Sequence, residues 1–327
     1  MLMSLVVTPE AFSAEHFSDP SYHSHAEMLL RDVDANGVIL VDSNERIYNK
    51  LCDNVEALAA TKKGKTSHAL FEELLKKKRQ KIVRFIATKY SFTSGISVED
   101  ACAAIAVDCQ PDSLITDPDS HSRLAARVGD PTKVISMTDY IGSEVEVERR
   151  RWYELLPLID CMLPGEFDRL IVGATKYSRW LRFYDKQIGK GTSLNRFRRG
   201  IEKILQLWVA NSYFSKNELS VKLFTVADES TFKKCEPSVS YRRVKEALVE
   251  PLIRQFGIPI ELKFKKDDAK ICHARHLQTQ SLAILFEKGF DFIKEDGSFC
   301  RTSIKPDAVY SHLQEYRDLI DFTLSTS

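Results

Sequence analysis

The chain has 327 residues, of which 43% are hydrophobic and 28% are charged, and its formal net charge is +1. This composition is typical of a soluble globular protein, and the length is enough for two domains with a core each. No apolar run approaches the roughly 20 residues that cross a bilayer, so no membrane span is predicted.

The charge is unevenly divided along the chain. Residues 1–150 hold 18 Lys and Arg against 23 Asp and Glu, a balance of −5, whereas the remainder holds 29 against 23, a balance of +6. An acidic first half and a basic second half suit an acidic metal site beside a surface that holds a polyanion.

The seven cysteines are scattered, are odd in number and form no Cys-x-x-Cys pair. They indicate a reducing compartment, and neither a disulfide framework nor a zinc site. The first ten residues lack a basic segment and a small-residue cleavage site. No signal peptide is therefore predicted, and the expected location is the cytoplasm.

In chain order, residues 1–30 are predicted to be an irregular lead-in that ends in a short helix. Gly37–Asn44 follows, where four consecutive apolar residues lead directly into Asp42. Such a run predicts a strand buried on both faces of a parallel sheet. Ligands bind at the carboxyl ends of such strands, which makes Asp42 a candidate ligand, but capping of the following helix would explain the residue equally well.

The segments after this strand alternate between helical and strand patterns. Helices are predicted over 44–60 and 68–88 and from about residue 99, and strands over 112–116 and 133–137. The alternation is typical of a doubly wound, three-layer α/β domain, which we place at residues 31–150.

Four acidic residues of this first half stand in suggestive places. Asp42 ends the first predicted strand, Glu73 lies in a helix, Asp100 opens a helix, and Asp117 follows a second strand. If the two strands are neighbours in a parallel sheet, their carboxyl ends bring Asp42 and Asp117 together. Carboxylates grouped in this way hold Mg²⁺ or Mn²⁺, which activates water and neutralises a scissile phosphate.

Four motifs in this order resemble the PIN-domain nucleases. They are Leu40-Val-Asp42-Ser-Asn44, Phe71-Glu-Glu73-Leu-Leu, Asp100-Ala-Cys-Ala-Ala-Ile-Ala, and Ser113-Leu-Ile-Thr116-Asp117-Pro118-Asp119. The resemblance covers about residues 35–145. Asp108 could replace Asp100 in the pattern, Asp119 could replace Asp117, and Glu72 could replace Glu73.

The PIN resemblance implies a three-layer parallel-sheet domain that cleaves RNA or DNA. Mg²⁺ or Mn²⁺ would be held by Asp42, Asp100 and Asp117, with Glu73 in support. The combination with the second domain suggests a prokaryotic phage-defence or toxin-type effector. The alternative is an α/β domain of the same shape whose acidic residues are helix caps and surface charges.

The second half, residues 151–327, contains three further motifs. They are Leu181-Arg-Phe-Tyr-Asp185-Lys-Gln-Ile-Gly189, Asn195-Arg-Phe-Arg198-Arg199 and His273-Ala-Arg275. Together they resemble the phospholipase D-like fold found at the C-terminus of certain MIT-domain proteins, over about residues 152–325.

In the catalytic members of that fold the His attacks phosphorus and a Lys two residues further on steadies the phosphate. Arg275 stands in the Lys position, and Arg can clamp a phosphate with two hydrogen bonds. Only one such His motif is present, so a paired active site would require a homodimer through this domain. Alternatively, His273 and Arg275 bind phosphate without catalysis, while Arg198 and Arg199 contact a nucleic-acid backbone.

Three functions follow from these patterns. The favoured one is a metal-dependent nuclease whose basic second domain holds the nucleic acid. The second is a non-catalytic regulatory module that binds a phosphate-bearing ligand or a partner protein through its C-terminal domain. The third is a metal-independent phosphodiesterase that uses His273.

Overall fold

The computed structural model describes residues 3–76, 81–85, 96–154, 158–188, 194–227, 237–266 and 275–307. Contacts between Cα atoms divide the chain into two compact units, Leu2–Arg151 and Trp152–Ser327. Each unit is built on its own β-sheet with helices in the connections, so the predicted α/β class is confirmed.

The first unit contains a five-stranded sheet. Its strands are β1 (Met3–Val7), β2 (Gly37–Asp42), β3 (Ile82–Phe85), β4 (Ser113–Thr116) and β5 (Val134–Ser136). They are all parallel and lie in the order β3-β2-β1-β4-β5. The helices are α1 (Pro20–Asn36), α2 (Arg46–Leu58), α3 (Lys65–Lys76), α4 (Val98–Cys109), α5 (Pro118–Val128) and α6 (Glu144–Glu154).

The central strand β1 lies where the sequence predicts an irregular lead-in. Its five residues are all buried, and it pairs with β2 on one side and β4 on the other. The lead-in prediction is therefore corrected, and α1 also begins earlier than predicted, at Pro20, where the Asp19 side chain caps it. Three consecutive apolar residues, Leu5-Val-Val, do not reveal the two partner strands, which is why the pattern alone failed here.

The predicted helix over 68–88 is also corrected. The helix α3 ends at Lys76, and Ile82–Phe85 forms the strand β3, which pairs with β2. The β-branched pair Ile82 and Val83 suits a strand, and its pairing with the buried β2 outweighs the helical spacing of the sequence.

The strands β2 and β4, expected to be neighbours, are separated by β1. Adjacent strands lie about 4.8 Å apart, so the ends of β2 and β4 are about 10 Å apart. The strand order reverses at β1, because β2 and β3 extend to one side of it and β4 and β5 to the other. The crevice between the carboxyl ends of β1 and β4 is thus the switch point at which open parallel sheets bind ligands.

The second unit contains a six-stranded mixed sheet. Its strands are β6 (Trp180–Asp185), β7 (Ser220–Ala227), β8 (Ile260–Lys266), β9 (Arg275–Gln278), β10 (Ala283–Phe286) and β11 (Ile304–Asp307). They lie in the order β11-β10-β9-β6-β7-β8; β6, β7 and β8 are parallel, and β9, β10 and β11 pair antiparallel. The helices are α7 (Glu166–Thr175), α8 (Leu194–Asn211), α9 (Pro237–Val244) and α10 (Glu250–Phe256).

The helix α8 supplies much of the core of this second unit. Phe197, Ile201, Ile204 and Trp208 recur at helical spacing and are buried. Gly200 lies so close to the Phe290 carbonyl that a Cβ atom at this position would collide with it. Among the helices that the structure describes, none combines the length and the apolar character needed to cross a membrane.

Candidate metal centre

Two buried threonines join β1 to β4 at the switch point. Thr8 directly follows β1 and Thr116 ends β4, and neither is exposed to solvent. The Thr8 hydroxyl donates to Thr116 Oγ1 at 3.2 Å, and the Thr116 hydroxyl donates to Oδ2 of Asp117 at 3.2 Å. This chain of hydroxyls fixes the orientation of the Asp117 carboxylate.

Asp117 also begins the helix α5. Its Oδ1 accepts a hydrogen bond from the backbone N–H of Ser120 at 2.8 Å, and Pro118 occupies the first helical position. Both features are usual at a helix start. Each carboxylate oxygen thus has one donor from the protein and keeps a second lone pair for a further ligand.

A His and a second Asp meet Asp117 at this edge of the sheet. Ligand atoms of His16, Asp117 and Asp119 all lie within 4.8 Å of one another. Within the described part of the chain, this is the one group of three or more His, Cys, Asp or Glu residues with that spacing. Asp117 is buried, His16 is half-buried and Asp119 is exposed, so the group opens toward solvent.

Tyr22 of α1 supports His16. The two rings stack with centroids 5.2 Å apart, and the Tyr22 hydroxyl donates to the Ala11 carbonyl at 2.9 Å. Burial, together with the nearby charges of Asp117 and Asp119, raises the pKa of Tyr22 far above its usual value. Tyr22 therefore remains neutral and acts as a rigid wall behind the imidazole.

Asp42 does not join this group. Its Oδ1 accepts a hydrogen bond from the backbone N–H of Ile47 at 2.8 Å, and its Oδ2 lies 3.4 Å from Nε of Arg46. Asp42 is buried and holds the turn from β2 into α2. The capping alternative for Asp42 agrees with these contacts.

A second acidic neighbourhood surrounds the buried thiol of Cys102 in α4. Burial raises the pKa of Cys102 well above its usual value, and the charges of Glu10, Asp42 and Glu99 raise it further. One carboxylate oxygen of Glu10 is buried without a hydrogen-bond partner among the described residues. Two of these carboxylates have cationic partners, because Arg46 lies beside Asp42 and Arg123 pairs with Glu99, so the negative charge near Cys102 is partly balanced.

The other two predicted acids are engaged with basic side chains. Glu73 is exposed on α3 and pairs with Lys76, three residues further on. Asp100 lies in the first turn of α4, accepts a hydrogen bond from the Ser97 hydroxyl at 2.7 Å and pairs with Arg127. Neither residue belongs to the three-residue group, so the predicted convergence of Asp42, Asp100 and Asp117 is replaced by His16, Asp117 and Asp119.

Of the three alternative residues that the sequence offered for these positions, one lies in the three-residue group and two do not. Asp119, the substitute for Asp117, stands in the group beside it. Asp108 is exposed near the far end of α4, and Glu72 is exposed beside His68.

In the second unit, Arg275 lies opposite Asp185 where β9 pairs with β6. Its Nη1 donates to the Glu287 carbonyl at 2.9 Å. On α8, Arg198 lies 3.8 Å from the carboxylate of Glu202, and Arg199 Nε donates to the Ile293 carbonyl at 3.4 Å. His273 lies outside the described residues.

The sequence patterns gave no reason to single out His16. Its place depends on β1, because the chain leaving that strand must cross the switch point before α1 begins. Reading Leu5-Val-Val followed by Thr8-Pro9 as a strand end would have placed His16 on the carboxyl edge. No family model matches the chain, and no curated protein matches it.

Proposed function

We propose that the protein is a metal-dependent nuclease, with its catalytic centre at the switch point of the first sheet. The observation that carries the proposal is the grouping of His16, Asp117 and Asp119 at the place where parallel α/β sheets bind ligands. The family resemblance of the Ser113–Asp119 motif supports the same region, although the ligand set differs from the one predicted.

The donor atoms fit a divalent cation. Two carboxylates and one imidazole offer oxygen and nitrogen ligands, and the open side of the group leaves positions for water and a phosphate oxygen. Imidazole is a poorer ligand for Mg²⁺ than for transition metals, so of Mg²⁺ and Mn²⁺ the group favours Mn²⁺. A cation bound here would polarise a phosphodiester and lower the pKa of a bound water.

The chain's own residues then have definite roles. Thr116 and the backbone of Ser120 orient the Asp117 carboxylate, as outer groups do around metal ligands. Tyr22 orients His16 by stacking.

The test combines metal binding with cleavage. Mn²⁺ binding is measured by calorimetry, and cleavage of single-stranded and duplex RNA and DNA is measured with Mn²⁺, with Mg²⁺ and with a chelator. Asp117→Asn and His16→Ala are each expected to weaken Mn²⁺ binding at least 10-fold and to remove chelator-sensitive cleavage, because the first removes the charge of a carboxylate ligand and the second removes the imidazole. The matched controls Asp108→Asn and Glu73→Gln should leave both unchanged.

Two results would contradict this proposal. One is normal Mn²⁺ binding and cleavage in both Asp117→Asn and His16→Ala. The other is chelator-sensitive cleavage that Asp42→Asn and Asp100→Asn abolish while His16→Ala does not, since that would restore the ligand set predicted from the sequence.

A second candidate, which we propose from the resemblance of the His273-Ala-Arg275 motif, is a phosphate-binding role for the second unit. Arg275 donates to the Glu287 carbonyl and lies opposite Asp185, and phosphate binding by Arg275 stays a prediction. Cleavage that survives chelation and is lost in His273→Ala would instead favour the metal-independent phosphodiesterase. Homodimer formation through this unit and a role in phage defence stay predictions from the resemblances.

A further inference from the structure

Cations and aromatic rings alternate at the amino edge of the second sheet. Arg179 lies over the ring of Phe214 at 4.2 Å, and Arg182 lies over the ring of Trp180 at 4.4 Å. Nζ of Lys176, which follows α7, lies 5.0 Å from the centroid of the Tyr177 ring. The cations and Trp180 form a strip within seven residues of chain that lead from α7 into β6. Trp180 is half-buried, whereas the rings of Tyr177 and Phe214 are buried and support the cations that lie over them.

The register of β6 and β7 extends this strip sideways. Trp180 stands opposite Ser220, and Arg182 stands opposite Lys222, which places a second cation beside the first. Trp180 and Arg182 are two residues apart in a strand and share a face. They are half-buried, whereas the intervening Leu181 is fully buried in the core, so this face of β6 is open at its amino end.

Positive charge exceeds negative charge across the strip. Arg179 lies 3.4 Å from Glu218, and Lys222 lies 3.0 Å from Glu261. Arg182 forms no ion pair with any residue that the structure describes. Arg179 and Lys222 each keep 43% of the side chain exposed despite their partners, so their charge remains available to a polyanion.

We infer that this amino-edge strip, formed by Lys176, Arg179, Trp180, Arg182 and Lys222, binds single-stranded nucleic acid. Proteins that bind single-stranded nucleic acid combine cations that follow the phosphate backbone with aromatic rings on which unpaired bases stack. Duplexes hide their bases in the helix, so stacking on Trp180 favours a single strand. The inference rests on the proposed nuclease function, for which this strip would hold the substrate. The strip lies at the amino end of β6 and is separate from Asp185 and Arg275, which lie at its carboxyl end.

The test measures binding without turnover. A fluorescently labelled 20-nucleotide oligo(dT) or oligo(rU) is titrated with the full chain in a chelator, and the dissociation constant is followed by anisotropy at several salt concentrations. Replacing Arg179 and Arg182 with Gln should weaken binding at least 10-fold. It should also reduce the slope of log K against log salt by about 1.4, since each lost phosphate contact removes about 0.7.

The aromatic part is tested separately. Trp180→Ala should weaken binding about 5-fold or more through the loss of stacking, and Trp180→Phe should restore most of it, because a Phe ring still stacks. The double variant Arg242→Gln with Arg243→Gln, which removes the same charge from the exposed end of α9, serves as the matched control and should bind like the unchanged protein.

Three outcomes would overturn the inference. In the first, the unchanged protein binds neither oligonucleotide. In the second, the strip variants and the α9 control lose oligonucleotide affinity to the same extent. In the third, the unchanged protein binds vesicles rich in anionic phospholipid but does not bind the oligonucleotides. Because the chelator prevents metal-dependent cleavage, binding is measured on intact oligonucleotide and can be present where cleavage is absent. Conversely, a loss of cleavage in Asp117→Asn with binding intact bears on the catalytic centre alone.

Discussion

At the scale of single residues, Asp185 is an acidic side chain that the fold buries and surrounds with backbone hydrogen-bond donors. It ends β6, is fully buried, and accepts hydrogen bonds from the backbone N–H groups of Gln187 at 2.8 Å and Phe290 at 3.2 Å. The positive φ of Gly289 brings the backbone so near that a Cβ atom there would collide with the Asp185 carboxylate. Asp185 therefore fastens the segment after β10 to the end of β6.

Asp185 should make the stability of the second unit depend on pH. Burial raises its pKa from 3.8 to about 6, although the two N–H donors and Arg275 oppose the rise. Because the folded pKa lies above the unfolded one, the stabilisation is complete below about pH 4 and is lost as the pH rises through 6. The difference of about two pKa units corresponds to about 3 kcal/mol in the free energy of unfolding.

Urea unfolding of the unchanged protein and Asp185→Asn between pH 4 and 7.5 checks this prediction. The Asn side chain does not titrate, so the stability difference between the two proteins should be largest at pH 4 and shrink by about 3 kcal/mol toward pH 7. Asp160→Asn, an exposed acid of the same unit, should leave the pH profile unchanged. A constant difference between the unchanged protein and Asp185→Asn across this range would contradict the assignment.

At the scale of elements, the helix α8 contains one position, Gly200, where glycine is expected to be more stable than alanine. Alanine is normally more favourable than glycine inside a helix, by about 1 kcal/mol. At Gly200, however, a Cβ atom would meet the Phe290 carbonyl, which is backbone and cannot easily move. The close approach of α8 to this segment therefore requires glycine.

Gly200→Ala should destabilise the protein by about 1–3 kcal/mol, the usual cost of overpacking, as measured by thermal or urea unfolding. The exposed Gln206 in the interior of the same helix provides the comparison, since Gln206→Gly should cost about 1 kcal/mol relative to Gln206→Ala through helix propensity alone. A gain in stability for Gly200→Ala would show that α8 and the Phe290 segment are further apart than described.

The strands of the first sheet differ in how far the sequence alone predicts them. The strand β2 was identified because four apolar residues run into a polar end, and Asp117 because it follows another such strand. The strand β1 has the same character, but its central position depends on pairing with partners that only the folded chain brings to it. His16 could not be recognised as a candidate ligand without β1, so the failure to predict this strand also left His16 out of the predicted site.

At the scale of the whole molecule, a metal bound at His16, Asp117 and Asp119 should stabilise one unit and leave the other unchanged. A ligand at about 100 times its dissociation constant stabilises the state that binds it by about 2.7 kcal/mol. Because all three residues lie in the unit Leu2–Arg151, amide hydrogen exchange there should slow by up to about 100-fold with Mn²⁺. Amides of the second unit should be unaffected.

Asp117→Asn is the control for this exchange experiment and should show no protection by Mn²⁺ in either unit. Equal protection of both units in the unchanged protein would point to non-specific binding of the cation. Protection confined to the second unit would place the metal elsewhere.

The hydroxyl contact between Thr8 and Thr116 spans 108 residues of chain. Closing so long a loop is entropically costly, and folds rich in such contacts form slowly. His16 lies eight residues after Thr8, and the other two proposed ligands, Asp117 and Asp119, lie one and three residues after Thr116. The three ligands are therefore assembled by closure of the sheet between β1 and β4, and an unfinished or locally opened chain has no complete set. Catalytic competence at this centre would thus be a property of the fully folded unit, lost by any opening of that strand pair even while the helices remain intact.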